Sequence, residues 1–246
     1  MRGSAKKLGA AACAAALIAA GSAMASPFQV DSTGTAEDIE VKSAFEYRDT
    51  SSKQTWITPK LAVAFPVTGN LEFEVGTGYR KVGRDGTTHE GLADSTLELK
   101  WRVADETPHG VGFALIPELS LPTGSESRGL GSGHAALVVP MVVEKHVGPV
   151  MLSGQVGYGR SFGGDEDYVP LGILVTTKLR DTLKVGMEIA GEAPADRFSD
   201  CALSTNVGFK WKVTRHMEVH GLVGRTVRSP GSDPMTRFKL VAEMHL

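Results

Sequence analysis

Cysteine is almost missing: Cys13 and Cys201 are the only two in 246 residues. That excludes a disulfide framework and a cysteine-built zinc site. Past residue 25 no apolar stretch approaches the roughly 20 residues that a membrane-spanning helix needs, so a helical membrane protein is excluded as well. There is no basic tract to suggest a nucleic-acid partner and no run of acids to suggest a solvated tail. Gly129-Leu130-Gly131-Ser132-Gly133 is the one glycine cluster of note, but it opens no helix and no lysine follows it. It is therefore not a phosphate-binding loop, and no cofactor and no metal site are expected.

What is present begins at the N-terminus. Arg2, Lys6 and Lys7 precede the Ala-rich apolar run from Leu8 to Ala20, and Ala23-Met24-Ala25 follows as an A-x-A cleavage signal. Residues 1–25 are read as a signal peptide, with the exported chain expected to start at Ser26. The run is too short and too rich in alanine for a membrane anchor. A lipid-modified start at Cys13 would leave almost no apolar region ahead of the cut. Without the leader, 23 basic residues face 28 acidic ones, a net charge of −5. An exported chain of that size without staples must be held by its own fold.

From residue 37 onward the dominant signal is a period of two, the mark of strands with one apolar and one polar face. Val41, Phe45 and Tyr47 alternate with Glu40, Lys42, Glu46 and Arg48; Leu97, Leu99, Trp101 and Val103 alternate with Glu98, Lys100 and Arg102. The segment ending the chain sets Phe238, Leu240, Ala242, Met244 and Leu246 against Lys239, Glu243 and His245. Carried along the chain, this predicts twelve strands near 37–48, 54–66, 71–82, 92–104, 111–121, 135–147, 150–162, 168–179, 183–192, 201–213, 217–228 and 235–246. An even number suits an all-β, up-and-down antiparallel transmembrane β-barrel over residues 37–246. Mean hydropathy near zero, at −0.06, is compatible with that, because alternate side chains face lipid and lumen.

The gaps at 49–53, 83–91, 122–134, 163–167, 193–200 and 229–234 are on the whole longer than those between them. Long loops on one side and tight turns on the other are the asymmetry of outer-membrane barrels, and they put both chain ends on the periplasmic side. On the lipid-facing register Phe45, Tyr47, Tyr79, Tyr158 and Phe238 fall near the outer strand ends, and Phe65, Trp101, Phe113 and Trp211 near the periplasmic ones. Two aromatic girdles flanking an aliphatic band fit a barrel that crosses two interfaces. The 26–36 stretch, without pattern, is expected to be a periplasmic tail or a small plug.

The inward register carries the candidate site. Glu40, Lys42, Glu46, Arg48, Glu72, Glu74, Arg80, Glu98, Lys100, Arg102, Glu118, Glu144, His146, Lys178, Lys184, Glu188, Lys210, Lys212, Glu218, His220, Lys239, Glu243 and His245 are expected to line the lumen. Mixed charge of this kind suits either a wet, selective pore or a barrel closed by pairing across strands. His146, His220 and His245 share that face, so a metal or proton role and simple solvation are both open to them. A catalytic barrel would need a nucleophile with its base and orienting group together. Asn70 falls in a turn, Asn206 faces inward, and Ser132 near His134 lies in a loop, so no enzyme is expected. Gly164-Asp165-Glu166-Asp167 offers three acids for a cation or a lipopolysaccharide bridge, or is a solvated loop tip.

Residues 91–124 also carry a resemblance. Gly91-Leu92-Ala93-Asp94 with Leu97 to Arg102, then Pro117-Glu118-Leu119-Ser120-Leu121-Pro122-Thr123-Gly124, the glycine-rich loop, and later Gly154-Gln155-Val156-Gly157-Tyr158 resemble segments of the MetA-pathway of phenol degradation family of outer-membrane β-barrel proteins. Ala93 stands where that family usually has glycine, and Leu246 where such barrels usually end in phenylalanine. The resemblance implies a barrel that takes up aromatic or other apolar nutrients. Three readings follow: a passive channel for small solutes, a closed structural barrel, or a soluble periplasmic β-sandwich or lipocalin-like binder. For the first two, the expected partners are outer-membrane lipid and lipopolysaccharide, the barrel assembly machinery and, for the channel, a small-molecule solute.

Overall fold

The computed structural model describes residues 26–84, 86–163 and 167–246. The expected signal peptide, and Gly164 to Glu166 of the acidic loop, lie outside them. Strand segments run β1 (Glu40–Asp49), β2 (Lys53–Thr68), β3 (Leu71–Arg84), β4 (Thr87–Leu92), β5 (Ser95–Ala104), β6 (Gly112–Leu115), β7 (Glu118–Leu121), β8 (Ala136–Val147), β9 (Val150–Ser161), β10 (Tyr168–Arg180), β11 (Leu183–Pro194), β12 (Ala202–Thr214), β13 (Met217–Arg228) and β14 (Thr236–His245).

Each strand pairs antiparallel with its neighbours, and β1 pairs with both β2 and β14, so the sheet closes on itself. The fourteen segments make twelve staves. β4 lies against Tyr79–Arg84 of β3 and β5 against Leu71–Gly76, so the two share one stave broken at Ala93-Asp94. β6 and β7 both lie between β5 and β8, and Ile116-Pro117 divides them. Pro117 has no N–H to give the ladder, yet its carbonyl still accepts from Leu99 N at 2.9 Å. The closed single sheet excludes the two-sheet sandwich.

Two expectations need correction. The 83–91 stretch is not a loop: β3 runs on to Arg84 and β4 folds back on it, because Thr87, Thr88 and His89 extend the ladder past the expected stop. The separation into long loops and tight turns is also imperfect. Two-residue turns stand at 69–70, 148–149, 181–182 and 215–216, but the same mouth holds the longer 105–111, where Gly110 N donates to the Glu106 carbonyl. At the other mouth 50–52 is short.

The burial pattern is inverted relative to a water-soluble protein. Leu61, Val75, Leu99, Met141, Ile173, Met187, Val207 and Leu240 are exposed on the outer face, while Lys42, Glu46, Glu72, Glu98, Lys100, Glu188 and Lys239 are buried inside. Left to water, each such aliphatic side chain forfeits on the order of 1.5–3 kcal/mol of burial. Tyr79, Tyr158 and Phe238 project outward toward the long-loop mouth and Phe65, Trp101 and Trp211 toward the other. Phe45 packs on Phe238 and Tyr47 on Trp56 across neighbouring staves, with ring centroids 6.1 and 5.3 Å apart.

Candidate functional site: a plugged, charged lumen

Residues 26–36 run inside the barrel, gripped by the wall, and do not hang free as a tail. Gln29 N donates to both carboxylate oxygens of Glu188 at 2.9 and 3.0 Å, and Val30 N to Glu188 Oε2 at 2.9 Å. Asp31 N donates to Gln155 Oε1, Thr33 N to Glu144 Oε2 and Ala36 N to Glu72 Oε2, at 2.9, 3.2 and 2.7 Å. From the wall, Ser153 Oγ donates to the Asp31 carbonyl and Lys239 Nζ to that of Ser26, both at 2.8 Å. Lys100 Nζ reaches Asp31 Oδ1 at 3.0 Å. A chain segment without a ladder must satisfy its backbone groups somehow, and here inward carboxylates and amides of the barrel do it.

The plug also has an apolar foot. Phe28 and Val30 are buried with Leu174, Ala190 and Leu222, and Met151 packs alongside. Inward glycines make the room. A Cβ on Gly172 would stand 2.5 Å from Val30 Cγ2, and one on Gly186 2.8 Å from Phe28 Cζ. Beside this foot lies a cavity of about 210 Å³, into which Phe28, Met151 and Leu174 present apolar surface and Lys184, Lys210 and Glu144 charge.

Nearer the long-loop mouth, Glu46 takes Arg48 at 2.7 Å and Arg237 at 3.7 Å. The glycine-rich loop folds inward there. Arg80 Nη1 donates to the Leu130 carbonyl at 2.9 Å, and Asp94 accepts from Gly124 N and from both N and Oγ of Ser132, at 3.0, 2.7 and 2.8 Å. The Ser132 hydroxyl thus serves Asp94 and the His134 carbonyl rather than an imidazole. Deeper in the wall, Lys42 lies 2.9 Å from both Glu40 and Glu74, and Glu74, Glu98 and Glu118 stand directly opposite one another on successive staves.

Of the residues expected along the lumen, Lys42, Glu46, Arg48, Glu72, Glu74, Glu98, Lys100, Glu118, Glu144, Glu188, His220, Lys239 and Glu243 are buried. Glu40, Arg80, Arg102, Lys210, Glu218 and His245 are half-buried, and His146, Lys178, Lys184 and Lys212 are exposed. Arg102 turns to the rim, bonding Asp105 and the Gly69 carbonyl at 3.0 and 2.6 Å. His146 does not join the other histidines. Its ring and its backbone N–H both bond Glu106 in the 105–111 turn, at 2.7 and 2.8 Å, and hold that carboxyl below the usual range. His220 and His245 do come together with Glu40, Glu218 and Glu243.

Lys60, Asp31, Glu192 and Arg237, all buried and polar, were not among the expected residues. Glu192 and Arg237 continue the inward parity of Glu188 and Lys239, so the period of two was sufficient to reach them. Lys60 needed more, because the register slips between Ile57 and Lys60 and puts both inside. Pro59 within a strand is the one sequence mark of such a slip.

No protein-family model matches the sequence, and no curated protein does either. The fold is shared with solved barrels. The COG4313 outer membrane channel from Pseudomonas putida F1 has a TM-score of 0.68 at 14% identity, over 88% of this chain and 98% of that one. The KdgM porin in complex with disordered oligogalacturonate has 0.59 at 9% identity, over 84% and 99%. The CymD monoaromatic hydrocarbon channel has 0.51 at 5% identity, over 85% and 89%. At such identities the likeness is one of fold, that of the outer-membrane β-barrels.

Proposed function

We propose that this chain is exported, loses residues 1–25, and forms an outer-membrane channel for the passive passage of small solutes, aromatic or other apolar ones among them. The observation that carries the proposal is the filling of the lumen by a tethered segment rather than by the wall's own side chains. A wall that closed itself would need no occupant, whereas a segment held by hydrogen bonds is an obstruction that can leave. The cavity beside Phe28, Met151 and Leu174 supports the solute class: at about 210 Å³ it exceeds the about 150 Å³ in which an apolar cavity holds benzene. The resemblance to the phenol-degradation family points the same way, and so does the fold shared with a monoaromatic hydrocarbon channel.

The exposed aliphatic band and its aromatic borders favour lipid as the surrounding solvent. Lipopolysaccharide at the long-loop side and the barrel assembly machinery belong to the same proposal, with the long loops outside the cell and both chain ends toward the periplasm. Catalysis has no place in it, and the 23 expected lumen residues act as the wall of the pathway, not as reactants.

Single-channel recording in planar bilayers tests this, comparing the intact chain with one lacking residues 26–36. The channel reading expects small, intermittent conductance from the first and a larger, steady one from the second. No conductance with or without the segment would favour the closed structural barrel instead.

A further inference from the structure

Three acids and two histidines meet at the seam where the first and last staves join, and the channel reading uses them only as wall. Glu40 stands directly opposite His245 across that seam, and Glu243 opposite Glu218 on the next stave. Acceptor atoms of Glu218, His220 and Glu243 all lie within 4.8 Å of one another, and so do those of Glu40, Glu243 and His245. Glu243 belongs to both groups.

We propose that Glu218, His220 and Glu243 form a binding site for a divalent transition-metal ion, with Glu40 and His245 completing it from the other side of Glu243. Two like charges opposite each other on neighbouring staves repel, and burial sharpens the repulsion because water no longer screens it. Glu218 and Glu243 are such a pair, with side chains only 15% and 7% exposed. Lys212 reaches Glu218 at 3.4 Å, and Lys42 lies opposite Glu243 but is shared between Glu40 and Glu74.

The second, independent observation is an unused ligand. Glu243 is nine-tenths buried, its Oε1 lies 3.3 Å from His245 Nε2, and its Oε2 has no hydrogen-bond partner. An orphaned carboxylate oxygen in the interior is costly, and a cation beside it removes the cost. His220 Nε2 lies 3.1 Å from Glu218 Oε2, joined by a single hydrogen, which a metal ion would replace while taking both atoms as ligands.

The donor set selects the ion. Imidazole nitrogen with carboxylate oxygen, and no thiolate, suits Zn²⁺ and its first-row neighbours, whereas Ca²⁺ and Mg²⁺ prefer oxygen alone. The ligands come from β1, β13 and β14, so an occupied site ties the end of the barrel ladder to its beginning.

The test uses the full chain extracted in detergent, without a histidine tag, stripped by chelator and then equilibrated with Zn²⁺. Bound zinc is counted by atomic emission, and folding is checked by migration of unboiled samples. About one tightly held zinc per chain is expected. Removing even an outer-shell partner weakens metal sites by about 10–100-fold, so Glu243→Gln and His220→Gln should each weaken binding at least that much. His89→Gln, far away on β4, should change nothing. Folded Glu243→Gln and His220→Gln barrels that bind zinc as the parent does would overturn the proposal, as would a parent that binds none. Should both variants misfold, Cu²⁺ bound to the parent decides by electron paramagnetic resonance: nitrogen hyperfine structure supports the site, and its absence overturns it.

Discussion

Lys100 Nζ and Asp31 Oδ1, 69 residues apart in sequence, meet at 3.0 Å and join the barrel wall to the segment that fills it. Both groups are buried, at 2% and 7% side-chain exposure. Removing one partner of such a pair leaves an uncompensated charge, at a cost of roughly 3–5 kcal/mol. Asp31→Ala is therefore expected to shift the balance from seated to released segment by about two to four orders of magnitude, read as open time in bilayer recordings. The double variant Asp31→Ala, Lys100→Met removes both charges and should recover much of the closed behaviour. A quiet Asp31→Ala channel would mean that this contact does not hold the segment.

The same pair sets a pH dependence. Burial opposes ionisation of Asp31, but Lys100 beside it and the Ser32 N–H outweigh burial and hold the carboxyl below its ordinary value. A carboxyl lowered by the seated state contributes its stabilisation in full above the free value of about 3.9. That contribution fades as pH falls through the lower, seated value. Conductance should accordingly stay low from neutral pH to about pH 5 and rise only in strong acid. A rise centred near pH 6 would assign the gating to a group other than Asp31.

Space can be tested apart from charge. A Cβ at Gly172 would approach Val30 Cγ2 to 2.5 Å and Ala190 Cβ to 2.9 Å. Gly172→Val is expected to overpack the foot of the plug by about 1–3 kcal/mol while the ladder stays closed. Amide exchange at Gln29 and Val30 should speed up on the order of tenfold or more, with migration of unboiled protein unchanged. Unaltered exchange would mean that β10 yields instead of the plug.

The outer face makes its own prediction. Val207 projects from the middle of β12 and is 53% exposed. If that face meets lipid, Val207→Arg should cost about 2–4 kcal/mol near the bilayer midplane. A urea titration of folding into phospholipid vesicles measures it. A variant as stable as the parent would show that β12 turns this face to something other than hydrocarbon.

The architecture was legible because a barrel strand writes its two environments into alternate residues. Runs such as Val41 to Arg48 and Leu97 to Val103 needed only parity to be placed, and the even number of staves followed. Parity failed where the backbone broke step, at Pro59, since a one-residue slip reverses every later side chain. It was silent on adjacency too. His146, His220 and His245 share a register in the sequence, but only closure of β1 on β14 brings Glu40 to His245, and the Glu106 turn draws His146 away. Segment 26–36 has no period at all, so its place inside could be read only from the wall that receives it.

That reception has a consequence for how the segment can change over generations. Gln29, Val30, Asp31, Thr33 and Ala36 are all held through main-chain N–H groups, which every residue except proline carries. Gln29 and Ser32 are therefore free to vary, whereas proline at Val30 or Ala36 would delete a donor that nothing replaces. Constraint falls instead on the acceptors, Glu188, Gln155, Glu144 and Glu72, one on each of four strands. Among relatives, the filling of this barrel is expected to diverge faster than the polar residues that grip it.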